Sequence, residues 1–166
     1  GKGELTMTGE HVLIYSGVKE EYRAREGVAC YIKKENVKYI RNWTAISERI
    51  LKIEWEIDKN MVLTIIVTYG PSEDEKVKIK DEYWNKLTEV TEESRGRLLI
   101  IGDINGRVGK KDEESGETIG IHGENTRNNN GRRLIEFCML NNLIITNTFY
   151  EHKDVHKYTR ESISRG

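Results

Sequence analysis

Asp103 and Asn105 are the two polar side chains whose types and spacing could do chemistry together. They follow an apolar run at residues 98–101, within the segment LLIIGDINGRVG. In extended chain, residues two apart point to the same side, so both side chains could face one target. A carboxylate can activate water or bind a hard cation, and an amide can hold a phosphate oxygen without adding negative charge. The alternative is an ordinary strand end at which Asp and Asn begin a turn, and the spacing alone favours that alternative.

Two other patterns in the sequence suggest metal binding less strongly. Residues 103–114 place oxygen-bearing side chains at positions 1, 3 and 12 of a calcium loop, but Val108 stands where that loop requires glycine. His152 and His156 are four residues apart, as on a metal-binding helix, but their segment follows a strand and lacks an apolar stripe. We therefore expect no calcium loop, and we interpret the two histidines as solvated.

The elements that must position Asp103 and Asn105 form a pattern of strands first and then alternating strands and helices. The predicted strands are 12–16, 28–33, 36–41, 49–57, 61–69, 97–102 and 143–146, and the predicted helices are 73–94 and 131–140. The first helix begins with a capping box from Ser72 to Glu75. Strands 61–69 and 97–102 are apolar throughout, which predicts that both of their faces are covered. The pattern predicts the α/β class, with a mixed sheet covered by helices.

A long loop at residues 106–130 is rich in glycine, asparagine and charge, and long loops in compact domains tend to be functional. The net charge of the chain is −1, so any contact with nucleic acid must use a local basic patch. Residues 106–133 are where such a patch is expected, although clustered basic residues are usually only solvated surface. The basic residues of this patch are Arg107, Lys110, Lys111, Arg127, Arg132 and Arg133.

Composition bounds the class of protein. The chain has 166 residues, of which 36% are hydrophobic, and this suits one domain with a real core. Cys30 and Cys138 lie in apolar stretches, which favours buried free thiols over a disulfide. The sequence shows no stretch as long as a membrane span and no signal peptide, so we expect an intracellular protein without a membrane partner.

Two motifs carry a resemblance to a known family. VTYGP at residues 67–71 and LLIIGDIN at residues 98–105 resemble the endonuclease/exonuclease/phosphatase superfamily, whose strand ends carry Y-x-P and G-D-x-N. From residue 98 to residue 159 the sequence resembles the apurinic-type endonuclease domain of non-LTR retrotransposons of the RTE clade. It is also similar to host proteins that carry such a domain. The resemblance covers nearly the whole chain.

The resemblance implies roles for three residues. Family members cleave phosphodiesters with Mg²⁺ in a four-layer α/β sandwich of the DNase I-like type. Asp103 matches the aspartate that orients or deprotonates the attacking water. Asn105 matches the asparagine that holds the phosphate and its developing charge, and Tyr69 matches a tyrosine that donates to the phosphate. The candidate catalytic residues are therefore Tyr69, Asp103 and Asn105, and a nuclear location is compatible with the family.

The sequence departs from the family pattern at both ends. The family's metal-binding glutamate precedes the region that matches Gly1, and Arg160 stands where the family has tryptophan. The later D-Y-I strand and the serine-aspartate-histidine block are not in the sequence either. We therefore expect residues 1–166 to form a single domain that is truncated at both ends, with an incomplete four-layer sandwich and exposed sheet edges. Mg²⁺ prefers several oxygen ligands, so we expect none to be bound tightly here.

Two functions follow from these expectations. The favoured one is a retrotransposon-derived module with little or no nuclease activity, which binds a partner or plays a structural part in a host protein. The alternative is an active Mg²⁺-dependent endonuclease, in which water activated by Asp103 nicks DNA. If DNA binds, the loop at residues 106–133 is where it would make contact, and an exposed sheet edge could pair two copies in a homodimer. The sequence does not indicate a protein partner.

Overall fold

A computed structural model describes residues 1–6, 10–18 and 26–153. The chain divides into two compact units, residues 1–105 and residues 106–166. His156 and Arg160 lie outside the described residues. In chain order the described elements are β1 (Lys2–Thr6), β2 (His11–Gly17), β3 (Gly27–Lys33), a 3₁₀ helix (Lys34–Tyr39), β4 (Ile40–Ser47), β5 (Ile50–Asp58), β6 (Met61–Tyr69), α1 (Val77–Glu92), β7 (Arg97–Asp103), α2 (Asn129–Leu140) and a second 3₁₀ helix (Thr146–Thr148).

The first unit contains two sheets that share a hydrophobic core. Strands β1, β2 and β3 form an antiparallel sheet, and strands β4, β5, β6 and β7 form a second sheet in that order. Because side chains alternate between the faces of a strand, each sheet turns one apolar face toward the other. The buried residues between the two sheets are Val12, Ile14, Val28, Ile32, Leu51, Ile53 and Val67.

Helix α1 covers the other face of β6 and makes the crossover that the parallel pair β6 and β7 requires. Thr64, Ile66 and Thr68 on this face are buried. Thr68 Oγ1 shares a hydrogen bond of 2.9 Å with the Tyr83 hydroxyl, and the Thr64 hydroxyl donates to the carbonyl of Arg95 at 3.0 Å. The α/β class predicted from the sequence is confirmed, and the arrangement is compatible with a DNase I-like sandwich.

Strand β7 is less covered than its apolar sequence predicts. Leu99 and Ile101 are 44% and 42% exposed, so the expectation that both faces of residues 97–102 are buried is wrong. Their register partners on β6 are Ile65 and Val67, whose side chains face the three-stranded sheet. Because β7 is the outermost strand of its sheet among the described residues, the smaller sheet leaves Leu99 and Ile101 partly uncovered.

Two predicted strands are wrong. Residues 36–41 were expected to be a strand, but a 3₁₀ helix at Lys34–Tyr39 leads into β4. Its Val37 packs against the core while its charged residues are exposed, without the two-residue alternation that a buried strand face needs. The expected strand at 143–146 is reduced to one parallel bridge between Ile119 and Ile145.

The predicted capping box before α1 is not formed. The helix begins at Val77 after Lys76, which makes no side-chain cap. Ser72 and Glu75 instead belong to a turn, in which the Glu75 N–H donates to the Ser72 carbonyl at 3.1 Å. The Lys80 ammonium donates to the carbonyl of Glu73 at 2.5 Å, so this turn is held by the first turn of the helix.

The second unit contains helix α2 and a small hydrophobic core of its own. Asn128 caps α2, because its Oδ1 accepts from the N–H of Gly131 at 2.8 Å. Val108, Ile119 and Ile135 form a buried cluster. Met139, which was expected on the apolar side of the helix, is 48% exposed.

Both cysteines are free, as the sequence predicts. Burial raises the pKa of Cys30, and it raises the pKa of Cys138 to about 12. The thiolate forms are therefore disfavoured at neutral pH. In the described part of the chain, neither helix has the length and apolar character needed to cross a membrane.

Tyr83→Phe is expected to lower the free energy of unfolding by about 1 kcal/mol at pH 8, because the Thr68 hydroxyl loses one of its two hydrogen bonds and keeps the one to the Arg49 carbonyl. Burial raises the pKa of Tyr83 to about 12, whereas an unfolded tyrosine titrates near 10. The stabilisation that this shift provides is complete below pH ~10 and is lost as the pH rises toward 12. Urea unfolding at pH 8 and above pH ~10 should therefore show the wild-type advantage shrinking. Tyr31→Phe is the matched control, because Tyr31 is 58% exposed. Equal stability of Tyr83→Phe and wild type at pH 8 would exclude a contribution from the hydrogen bond between Tyr83 and Thr68.

Candidate functional site

The carboxyl ends of β6 and β7 lie side by side and carry two of the three candidate residues. The parallel register pairs Tyr69 with Asp103, and the N–H of Gly70 donates to the Asp103 carbonyl at 2.8 Å. This edge of a parallel strand pair is where α/β proteins usually place their sites. We call Tyr69, Asp103 and Asn105 the strand-tip site, and all three lie in the first unit.

Asn105 is joined to both strand ends by hydrogen bonds. Its backbone N–H donates to Asp103 Oδ1 at 2.9 Å, and its side-chain Nδ2 donates to the Gly70 carbonyl at 2.9 Å. Its φ of +54° is in the left-handed region, which asparagine tolerates better than most residues. Strained backbone of this kind often occurs at functional sites. Asp103 is exposed, and Tyr69 and Asn105 are half-buried.

The structure brings Asp103 and Asn105 together for a different reason from the one the spacing suggested. Strand β7 ends at Asp103, so strand alternation does not extend to Asn105. The bond from the Asn105 N–H to the Asp103 carboxylate is an Asx turn, which is the ordinary alternative for this strand end. The turn and the candidate site occupy the same residues, so the turn does not exclude the site.

A buried arginine lies behind the strand-tip site and was missed in the sequence. Arg49 is 7% exposed, and its Nη1 donates to the carbonyls of Tyr69 at 3.3 Å and Gly70 at 3.2 Å. Its Nη2 bonds Glu26 Oε1 at 2.5 Å, and its guanidinium carbon lies 5.5 Å from the centre of the Tyr69 ring. The sequence signals at this position are a charged residue directly before the apolar residues of β5 and the resemblance of SERILKI, residues 47–53, to a block of the family.

The side chains at this edge do not by themselves fit a Mg²⁺ centre. The strand-tip site contributes one carboxylate, Asp103, whereas Mg²⁺ requires an octahedral set of oxygens. In residues 1–6, 10–18 and 26–153, no group of three or more His, Cys, Asp or Glu side chains could hold a metal ion. His152 is exposed, and its possible partner His156 is not described. The strand-tip residues can therefore supply hydrogen bonds and orientation, but not a complete metal site.

The loop at residues 106–133, in the second unit, uses half of its six basic side chains in ion pairs with its own acids. These pairs are Arg107 with Glu124 at 2.5 Å, Lys111 with Glu117 at 2.9 Å and Arg127 with Asp112 at 2.8 Å. Arg133 donates to the side chain of Asn129 at 3.2 Å. Lys110 and Arg132 are exposed. The positive charge that this loop offers to a partner is therefore smaller than its composition suggests.

Comparison with known proteins gives relatives that match most of this chain. No protein-family model matches the sequence. Over 162 residues the chain is 35% identical to craniofacial development protein 2 of Bos taurus and 33% identical to that of Tragulus javanicus. Each match covers 96% of this chain but only 26% and 27% of the two relatives, so the chain spans about a quarter of their length. Identity at this level over nearly the whole chain makes it homologous to a segment of craniofacial development protein 2.

Proposed function

We propose that this chain is a retrotransposon-derived, endonuclease-like domain that serves as a non-catalytic phosphodiester-binding module in a host protein. The observation that carries the proposal is the hydrogen-bonded strand-tip site. In this proposal the Tyr69 hydroxyl and the Asn105 amide are the neutral groups that bind phosphate oxygens. The similarity to craniofacial development protein 2, whose name describes development rather than an enzyme, supports a role in a host protein.

The strand-tip site has a single carboxylate, Asp103, and this is why we favour phosphate binding over hydrolysis. Its exposed carboxylate repels a phosphodiester unless a cation or a proton lies between them. Phosphoryl transfer depends on positioning and on stabilisation of negative charge by several groups together. Residues that act as a unit give little activity when only part of the unit is present. Among the described residues, Asp103 is the one carboxylate of the strand-tip site and it opposes phosphate binding, so the proposal assigns binding to the neutral groups of Tyr69 and Asn105.

An active Mg²⁺-dependent endonuclease is the second candidate, and the fixed position of Asp103 favours it. Its Oδ1 accepts from the N–H of Asn105 at 2.9 Å, which fixes the carboxylate at the end of β7, where Asp103 is the register partner of Tyr69. In that function Asp103 would orient or deprotonate the attacking water, while Tyr69 and Asn105 would hold the phosphate. Bound Mg²⁺ would supply charge stabilisation, and it would need oxygen ligands in addition to Asp103.

Asp103→Asn is expected to tighten DNA binding if the chain is a binding module and to reduce DNA nicking if the chain is a nuclease. For a binding module, removing a negative charge beside the phosphate should tighten binding of a short DNA duplex by about three- to tenfold at low salt. For a nuclease, the same change should reduce nicking of supercoiled plasmid with Mg²⁺ by roughly a hundredfold or more. Fluorescence anisotropy in EDTA and a plasmid-nicking assay measure the two effects.

Asp58→Asn is the matched control, because Asp58 is exposed and pairs with Met61 at the opposite end of β6. The control should leave duplex binding within about twofold of wild type, since its carboxylate is remote from the strand-tip site. Duplex binding that is unchanged in Asp103→Asn would show that phosphate does not bind there. A wild-type chain that neither binds nor nicks DNA would reject both functions.

A further inference from the structure

We propose that Arg49 is a positioning residue for phosphodiester binding, which acts by fixing Tyr69 and Asn105 without touching the phosphate. This inference rests on the proposed function of the strand-tip site. The argument depends on where the guanidinium donates, on its burial and on its contact with the Tyr69 ring.

Burial of Arg49 is not explained by packing alone. A buried cation loses solvation that only good pairing can offset, and an apolar side chain of similar volume often fills such a space at no loss of stability. Arg49 is 7% exposed, and Glu26 balances its charge through a bond of 2.5 Å. Its Nη1 is directed at the end of β6, toward the carbonyls of Tyr69 and Gly70.

The Gly70 carbonyl connects Arg49 to the amide of Asn105. It accepts from Arg49 Nη1 at 3.2 Å and from Asn105 Nδ2 at 2.9 Å. The surroundings are tight, because a β-carbon added at Gly70 would overlap the backbone of Ile104. A shift of the Gly70 carbonyl would therefore change the direction in which the Asn105 amide points.

The ring of Tyr69 is constrained by the same guanidinium. The Arg49 guanidinium carbon lies 5.5 Å from the ring centre, within the range of a cation–π contact. Arg49 also accepts at its own carbonyl from the Tyr69 N–H at 3.0 Å. One buried side chain thus holds both groups that the proposed function assigns to phosphate, and binding geometry of this kind tolerates displacements of only about half an ångström.

Arg49→Lys tests the proposal, because lysine keeps the charge but lacks the planar fork that reaches Glu26 and two carbonyls together. We expect the NMR resonances of the Asn105 side-chain amide and the Tyr69 ring to shift, and duplex affinity to fall about tenfold. Arg41→Lys is the matched control, since Arg41 forms a comparable pair with Glu56 at 3.0 Å but is 40% exposed. The control should leave the resonances and the affinity unchanged.

A purely structural role would lower stability without changing the duplex affinity of the folded protein. The Tyr69 ring contacts Arg49 directly and shifts in either case, so the informative resonance is that of the Asn105 side-chain amide, which Arg49 reaches only through the Gly70 carbonyl. An unchanged Asn105 side-chain amide resonance, or an unchanged duplex affinity, in folded Arg49→Lys would therefore overturn the inference. If Arg49→Lys does not fold, Glu26→Gln carries the test, because it keeps an acceptor for Arg49 and should shift the same resonances by less. Failure of the proposed function has a different result: the wild type does not bind the duplex and the inference fails with it, whereas wild-type binding together with unchanged affinity in folded Arg49→Lys overturns the inference alone.

Discussion

Gly102→Ala is expected to lower the free energy of unfolding of the first unit by more than about 4 kcal/mol, in the range that single substitutions seldom reach. Gly102 has a φ of +137°, where side chains of L residues are strained. A β-carbon at Gly102 would also overlap the carbonyl oxygen of Thr68. No change of rotamer relieves that overlap, because Thr68 is the register partner of Gly102 on the neighbouring strand. Chemical denaturation followed by circular dichroism measures the loss.

Gly116→Ala separates backbone strain from overlap. Gly116 has a φ of +52°, and nothing lies within 4 Å of a β-carbon built there. This variant should lose only about 1 kcal/mol, the usual cost of a left-handed alanine. Equal losses in the two variants would show that the overlap at Gly102 contributes nothing. A much larger loss at Gly102 would mean that the glycine before Asp103 is required by the backbone, whatever binds at the strand-tip site.

Hydrophobic pattern predicted most of the elements but not their order in a sheet. Strand β6 is covered on both faces, as its apolar run indicated, because it lies between the smaller sheet and α1. The equally apolar β7 has two partly exposed residues, Leu99 and Ile101. The two runs look alike because a strand's own residues do not encode which neighbours it has. The short strand β1 (Lys2–Thr6) was also missed, since it becomes a strand only by pairing with β2.

The sequence predicted the three residues of the candidate site but not the Arg49–Glu26 pair that lies next to it. Residue types and the family resemblance brought Tyr69, Asp103 and Asn105 together, and the structure places them at neighbouring strand ends. Their catalytic or binding roles stay predictions. Arg49 and Glu26 could not be paired in advance, because they are 23 residues apart and lie next to strands of different sheets. Contacts between sheets depend on packing, which a single sequence does not reveal.

In the loop at residues 106–133, the sequence likewise does not reveal which basic side chains are paired within the loop. The sequence indicates these six basic residues as the place of any contact with nucleic acid, but the structure shows that Arg127 is part of the internal framework of the loop. Its side chain is 16% exposed and is 2.8 Å from Asp112 Oδ2. It also donates to the carbonyls of Val108 at 2.7 Å and Lys110 at 3.1 Å. Hydrogen bonds from Arg127 and Ser115 hold the pKa of Asp112 at about 2.

Arg127→Met is therefore expected to lower the free energy of unfolding of the second unit by about 2–4 kcal/mol, since two carbonyls and a carboxylate lose their donor together. The pKa of Asp112 should rise toward its ordinary value. The wild-type contribution from Asp112 is present above pH ~4 and is lost as the pH falls toward 2, whereas the variant should lack the part that Arg127 provides and keep the part from Ser115. Hydrogen exchange of the second unit at pH 7 and the NMR titration of Asp112 measure both effects.

Lys110→Met is the control that separates an effect on DNA binding from the effect on stability expected for Arg127→Met. Lys110 is exposed, so its replacement should leave stability unchanged. If the loop binds DNA, the control should weaken duplex binding and reduce the slope of log affinity against log salt by about 1. A slope that does not change would remove Lys110 from the DNA contact, and a stable Arg127→Met variant would show that Arg127 does not hold the loop. The expected pair of results divides the basic residues of one loop into cations that build it and cations that face a partner.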